Sequence, residues 1–238
     1  MRSTLFGDNA EVEATDTFTR QNSKILKVAL DGEILARRGS MVAYQGQAEF
    51  DYEGSGGLGK FLKKQFTGEG MPLMSVSGKA DVFLAENAED IYLLKLENDG
   101  ITANGKNVLA FEQTLEWDIE QVEGAGSLAG GLYNTTLRGS GWVALLAHGP
   151  PMVLDAGETA TYVDSQAAVA WSTNLRTRVA TQFKVSNLLG RSSGELAQLS
   201  FSGEGFVIVQ AGEQKMSSQQ GQQSGGSSGG GLGGLLGS

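Results

Sequence analysis

The chain has 238 residues, of which 40% are hydrophobic and 19% charged, and this composition is typical of a globular protein with a sizeable core. It contains no cysteine, which excludes disulfides, thiolate metal sites and cysteine nucleophiles. The formal net charge of -9 disfavours binding to nucleic acid, because an acidic surface without a basic patch repels phosphate backbones.

Residues 1–23 are polar, rich in threonine and without a sustained hydrophobic period, which predicts an irregular or edge-strand lead-in. The segment lacks the apolar stretch of a secretory signal and carries acidic residues early, unlike a transit peptide. No apolar run in the sequence approaches the roughly 20 residues that a membrane-spanning helix needs. Together these features predict a cytoplasmic protein.

A glycine that stands four residues before a valine recurs three times, each time ahead of an apolar run that is typical of a buried strand. The three pairs are Gly78 and Val82, Gly139 and Val143, and Gly203 and Val207. We interpret each glycine as a bent turn that leads into a buried strand and closes one lobe of the protein.

A second pattern, two apolar residues followed by alanine and an aromatic residue, also recurs three times, and it ends at Tyr44, Phe111 and Trp171. Each copy follows a turn signal, and the first of these, Asp31-Gly32, predicts a tight hairpin. The two patterns together predict an all-β protein with an internal threefold repeat. The expected single domain covers residues 24–216, with lobes at about 24–86, 87–148 and 149–216.

Short helical excursions are predicted between the strands of each lobe. In the first lobe, apolar residues between 58 and 66 fall on one helical face, while Lys60, Lys63 and Lys64 fall elsewhere. We interpret these lysines as the solvated side of a short amphipathic helix. The alternative is a contact site for an acidic lipid or protein surface.

The last 22 residues, 217–238, consist almost entirely of serine, glutamine and glycine, with three leucines near the end. Such a segment cannot bury enough apolar surface to offset the entropy of ordering its backbone. We therefore predict a disordered tail.

Two motifs have the residue spacing of known functional loops but lack the other residues that those loops need. Residues 54–60 have the spacing of a phosphate-binding loop, but Phe61 follows where that loop needs a serine or threonine. Residues 190–194 fit a nucleophile elbow, but the only histidine, His148, precedes the serine instead of following it. A lone histidine also cannot form a histidine-rich metal site. We therefore predict no catalytic centre, no metal and no cofactor.

The repeated glycine strands, together with residues 39–44 and 66–74, resemble the altered-inheritance-of-mitochondria family, also called the mitochondrial biogenesis family. Residues 163–165 and 203–210 of the third lobe agree as well. The resemblance implies three similar β lobes related to the double-stranded β-helix and to the ring-forming tryptophan RNA-binding attenuation protein. It also implies assembly into a trimer and a soluble bacterial-type member, and it brings no catalytic residues with it.

The sequence predicts a non-enzymatic, homo-oligomeric binding or scaffolding protein with an unknown protein partner, because its repeated positions build a fold and not a reaction centre. One alternative is a small-molecule-binding protein or a carboxylate-based enzyme, with a pocket where Asp81, Glu204 or His148 converge. Another is a peripheral membrane organiser that attaches through the lysines at 60–64 and the leucines of the tail.

Overall fold

The computed structural model describes residues 3–51, 72–123, 133–157, 159–180 and 198–212. These ranges contain one short helix, α1 (Leu5–Asp8), and one 3-10 turn, η1 (Gly105–Asn107). All other regular elements are strands, so the predicted all-β class is confirmed. The strands are β1 (Phe18–Arg20), β2 (Leu26–Arg37), β3 (Met41–Asp51), β4 (Leu73–Leu84), β5 (Asp90–Asn104), β6 (Val108–Glu112), β7 (Glu116–Gln121), β8 (Tyr133–Ala147), β9 (Met152–Asp155), β10 (Thr161–Asp164), β11 (Ala168–Ser172), β12 (Arg176–Val179), β13 (Gln198–Ser202) and β14 (Phe206–Val209).

The strands form two antiparallel sheets, a large one of 11 strands and a small one of three. The main path of the large sheet runs β3-β4-β2-β6-β8-β5-β11-β14-β9, with β1 on β2 and β7 on β8, and the small sheet runs β10-β13-β12. In lobe 1 the last strand, β4, lies between β2 and β3. In lobe 2 the last strand, β8, lies between β5 and the pair β6 and β7.

In lobe 3 each long strand is divided in two, and the halves keep the same neighbours. Strand β14 lies between β9 and β11, and β13 lies between β10 and β12. One pairing order therefore occurs in all three lobes, although strand lengths differ. The equivalence of the lobes over their whole length stays a prediction.

The lobes are joined to one another by strand pairing. Strand β2 of lobe 1 pairs with β6 of lobe 2, and β5 of lobe 2 pairs with β11 of lobe 3. In each case the first strand of one lobe pairs with the second strand of the next. We call these two contacts the lobe junctions.

The predicted hairpin at Asp31-Gly32 is wrong, because β2 continues through both residues as one strand. Gly32 lies opposite Gly78 of β4, and both have positive φ, 126° and 129°. Two paired glycines at the same level let both strands bend together without breaking the ladder of hydrogen bonds. The dipeptide therefore marks a bend inside a strand. Gly78 and Gly139 likewise lie inside the continuous strands β4 and β8, and only Gly203 lies between two strands.

Each lobe has its own cluster of buried side chains, which extends across the boundary to a neighbouring lobe. Val28 and Val82 belong to the first, with Leu109 of lobe 2. The second contains Ile101 and Val143 with Leu35 of lobe 1, and the third contains Phe201 and Val207 with Val122 of lobe 2. Each cluster thus crosses a boundary between lobes.

The N-terminal lead-in supplies the strand β1, which pairs with β2, and its Phe18 is buried in the core of lobe 1. Lys27 of β2 holds the preceding segment, because its Nζ lies 2.6 Å from Glu11 and 3.0 Å from the carbonyl oxygen of Val12. No helix in the described part of the chain is long and apolar enough to span a membrane.

Candidate functional site

The three repeated aromatic residues occupy matching places in the sheet. Each lies directly opposite the repeated valine of its own lobe: Tyr44 opposite Val82, Phe111 opposite Val143, and Trp171 opposite Val207. In all three pairings the register shifts by one residue just before the aromatic, as at a β-bulge. The short sequence pattern thus marks one local structure that occurs three times.

The surroundings of the three aromatics differ sharply. Phe111 and Trp171 are 0% and 2% exposed, whereas Tyr44 is 46% exposed, and Val42 beside it is 55% exposed. The difference follows from strand pairing. Strands β6 and β11 each have a partner on both sides, while β3 pairs with β4 alone among the described strands.

Apart from Leu5 and Phe6 of α1, the large exposed apolar side chains of the described residues lie on two sheet edges. Val42 and Tyr44 lie on β3, which we call the lobe 1 edge. Met152, Val153 and Tyr162, which are 52% to 64% exposed, lie on β9 and β10, which we call the lobe 3 edge. Unpaired edge strands present free backbone donors and acceptors, so they are ready templates for another strand. These two edges form the candidate interaction site.

Buried polar side chains connect the lobes at a separate place, which we call the polar junction. Asn107, which is fully buried, donates from Nδ2 to the carbonyl oxygen of Leu146 at 2.8 Å and to Oε1 of Gln210 at 3.3 Å. The same Oε1 accepts from the backbone N–H of His148 at 3.1 Å, and Nε2 of Gln210 donates to the carbonyl oxygen of Gln166. Gln210 therefore ties the end of lobe 3 to lobe 2.

Two cations extend the polar junction across the lobes. Nη2 of Arg37 in lobe 1 donates to the carbonyl oxygens of Gly105 and Lys106 at 2.8 and 2.6 Å, and so holds η1 of lobe 2. Nζ of Lys106 in turn donates to the carbonyl oxygen of Gln166 in lobe 3 at 3.1 Å. Burial lowers the pKa of both side chains. Their hydrogen bonds go to backbone carbonyls, so they stabilise the arrangement of the lobes.

The most unusual acid of the polar junction is Glu89, whose side chain is 7% exposed. Burial raises the pKa of this carboxyl, and the nearby charges of His148 and Arg37 offset part of the rise. Nε2 of His148 lies 3.8 Å from Oε1 of Glu89 and is itself partly exposed. At this distance the two groups are too far apart for a direct hydrogen bond.

The acids that were predicted to converge with His148 have other surroundings. Asp81 lies 3.1 Å from Nζ of Lys27, and Glu204 is exposed in the turn between β13 and β14. In the described ranges, no group of three or more His, Asp or Glu side chains could hold a metal ion. The carboxylate pocket, one of the alternatives from the sequence, stays a prediction.

Several predictions concern residues that lie outside the described part of the chain. These are the lysines Lys60, Lys63 and Lys64, the glycine-rich loop at 54–60, the serine motif at 190–194 and the tail at 217–238. They stay predictions.

Sequence reasoning missed Glu89 and Tyr162. Tyr162 could have been found by aligning the lobes on their glycines, because it lies opposite Ser200, three residues before Gly203. For Glu89 no local pattern exists, since its burial depends on contacts with residues far along the chain.

The all-β fold agrees with what comparison to other proteins finds. Residues 17–212 match the family model described as Mitochondrial biogenesis AIM24. The chain belongs to this family. A crystal structure of protein SPYM3_0169 from Streptococcus pyogenes, determined within a structural genomics programme, matches with a TM-score of 0.68. It is 21% identical, and the match covers 83% of this chain and 93% of that one, so it shows that the fold is shared. No curated protein matches the sequence.

The raised pKa of Glu89 predicts how stability depends on pH. A carboxyl with a higher pKa in the folded state contributes stability below its unfolded pKa, and this contribution is lost as pH rises through the folded pKa. Relative to Glu89→Gln, the wild type is therefore expected to lose stability as pH rises above about 4.3, the ordinary pKa of a glutamate, toward neutral pH. Thermal unfolding of both proteins across this range measures the difference.

The matched control is Glu116→Gln, which changes an exposed carboxyl on β7. It should leave the pH dependence of the melting temperature close to that of the wild type. A Glu89→Gln curve that runs parallel to the wild-type curve would show that burial does not govern this carboxyl.

Proposed function

We propose that this protein is a non-enzymatic scaffold that acts as a homo-oligomer and uses its exposed sheet edges for assembly. The observation that carries the proposal is the contrast among the repeated aromatics. Phe111 and Trp171 are buried at lobe junctions, while Tyr44 occupies the same place in lobe 1 and remains 46% exposed. The same position is buried in lobes 2 and 3 and exposed in lobe 1, which supports pairing of the lobe 1 edge with a strand from another chain.

The composition of the lobe 1 edge supports the same role. Residues 41–48 include no charged residue and no proline. Edge strands of monomeric proteins are commonly guarded by lysine, proline or inward-pointing charges, which prevent association with other strands. These residues are absent from the first eight positions of β3, which favours an edge that pairs with another strand.

The polar groups of the molecule support a structural role and not a catalytic one. Arg37, Lys106 and Gln210 direct their hydrogen bonds to groups of neighbouring lobes, which fixes the lobes to one another. The net charge of -9 supports a protein partner over nucleic acid. The proposal includes assembly as a trimer and a cytoplasmic location.

Size-exclusion chromatography with light scattering tests the proposal. The expected result is a particle whose mass is a multiple of the 25.0 kDa chain, three times that mass for a trimer, at micromolar concentration. A strict monomer of 25.0 kDa at the same concentration would refute the scaffold.

A further inference from the structure

The two lobe junctions have the same register. In the first, Ile34, Leu35 and Ala36 of β2 lie opposite Glu112, Phe111 and Ala110 of β6. In the second, Ile101, Thr102 and Ala103 of β5 lie opposite Ser172, Trp171 and Ala170 of β11. In both, the repeated aromatic of one lobe is paired with a fixed position on the first strand of the preceding lobe.

That fixed position can be located from the repeated glycines. Leu35 also lies opposite Ser75, three residues before Gly78, and Thr102 lies opposite Thr136, three residues before Gly139. In lobe 3 the residue opposite Ser200, three residues before Gly203, is Tyr162. Tyr162 is thus the lobe 3 counterpart of Leu35 and Thr102.

The three counterparts differ in whether another strand covers them. Leu35 and Thr102 are 5% and 9% exposed because the next lobe pairs with them. Tyr162 is 52% exposed, since β10 pairs with β13 alone among the described strands. One chain therefore carries both halves of a further junction, Tyr162 on the lobe 3 edge and Tyr44 on the lobe 1 edge, and neither half is paired among the described strands.

We propose that β10 of one copy pairs antiparallel with β3 of a second copy, in the register that the lobe junctions already use. Thr161 would then lie opposite Gln45, Tyr162 opposite Tyr44 and Val163 opposite Ala43. The two tyrosines form an aromatic cross-strand pair, which is among the favourable pairs in antiparallel sheets. The contact joins different surfaces, so repetition gives a ring if the rotation closes. This inference rests on the proposed homo-oligomeric function and specifies its interface.

Charge complementarity supports the pairing of these two edges. Arg37 and Asn104 lie two residues after Leu35 and Thr102, respectively. They donate to the carbonyl oxygens of Gly105 and Ser165, which lie six residues before Phe111 and Trp171. The residues at the corresponding positions of the proposed junction are Asp164, two residues after Tyr162, and Arg38, six residues before Tyr44. The proposed register places the carboxylate of Asp164 near the backbone of Arg38, an exposed residue of opposite charge, and this attraction favours the two edges as partners.

Disulfide cross-linking tests the register directly, because the natural chain has no cysteine. Gln45→Cys is introduced into one preparation of the full chain and Thr161→Cys into another, and the two are mixed and oxidised. Directly opposite residues in an antiparallel pair have Cα atoms about 4.5–5.5 Å apart, within the range that a disulfide spans. The mixture is expected to form at least about tenfold more covalent dimer than either variant alone.

A register control uses Gln47→Cys with Thr161→Cys, which shifts the pair by two residues on the same face of β3. Residues diagonal to one another lie about 7–8 Å apart, so this mixture should cross-link poorly. Equal cross-linking in both mixtures, or in the single variants alone, overturns the register.

Light scattering on the same samples separates the failure of this inference from that of the scaffold. If the samples are oligomeric but Gln45→Cys and Thr161→Cys do not cross-link, the proposed pairing is overturned while the homo-oligomeric scaffold is still supported. A strict monomer overturns both. A chain with both substitutions that forms only an internal disulfide shows closure within one molecule, and it likewise overturns the pairing between copies.

Discussion

Phe111→Ala is expected to lower the free energy of unfolding by about 3–5 kcal/mol, the usual cost of removing a buried phenylalanine side chain. Phe111 is fully buried between β2 and β8, and its ring lies 6.0 Å from that of Trp117 in an edge-to-face contact. Alanine would leave a cavity at the junction of lobes 1 and 2. Urea denaturation of the dilute chain measures the loss.

Tyr44→Ala is the matched control, because it removes an aromatic side chain from the same place in lobe 1. In the dilute, dissociated chain this change should cost only about 0.5–1.5 kcal/mol, because Tyr44 is half exposed and loses mainly its edge-to-face contact with Phe50 at 5.4 Å. Similar losses for Phe111→Ala and Tyr44→Ala under dissociating conditions would contradict the different burial of the two positions.

Gly78→Ala is expected to destabilise the chain by about 2–5 kcal/mol, because two costs add. Gly78 has a φ of 129°, a backbone conformation that a residue with a β-carbon adopts only with strain. A β-carbon there would also overlap the backbone carbonyl oxygen of Gln47 in β3, so the two strands would have to separate. Thermal or urea unfolding of the variant measures the combined effect.

The control for Gly78→Ala is Gly139→Ala in lobe 2. Gly139 has a φ of 116°, but a β-carbon there would meet no atom closer than 3.7 Å. Only the backbone strain remains, so the expected cost is about 1–3 kcal/mol. Equal losses at the two positions would show that the close approach of β3 to β4 does not constrain Gly78.

Much of the fold could be predicted because its signals are local. The alanine-aromatic pattern and the glycine before a valine placed Phe111 and Val143 in strands, and the structure pairs them directly. The Asp31-Gly32 signal was read wrongly, because a preference for positive φ does not distinguish a turn from a bend within a strand. The partner glycine, Gly78, is 46 residues away and settles the question only once the strands are paired.

The candidate site was less predictable because it depends on which strands lack a neighbour. Tyr44 and Phe111 share one local pattern, two apolar residues and an alanine before the aromatic, and only pairing with another lobe separates the exposed edge from the buried junction. The polar junction likewise brings together Asn107 and Gln210, which are 103 residues apart. No periodicity or short motif in one sequence reports contacts over such distances.

The most direct test of the assembly is the molar mass of the wild type compared with that of Tyr44→Lys and Tyr162→Lys, measured by light scattering at one concentration. A lysine at either exposed position should leave the fold intact and place a charge in the pairing strand. The expected result is an oligomeric wild type and two variants at the 25.0 kDa mass of one chain, with unchanged circular dichroism. Variants that keep the wild-type mass, or a wild type that is itself monomeric, would contradict assembly through these edges.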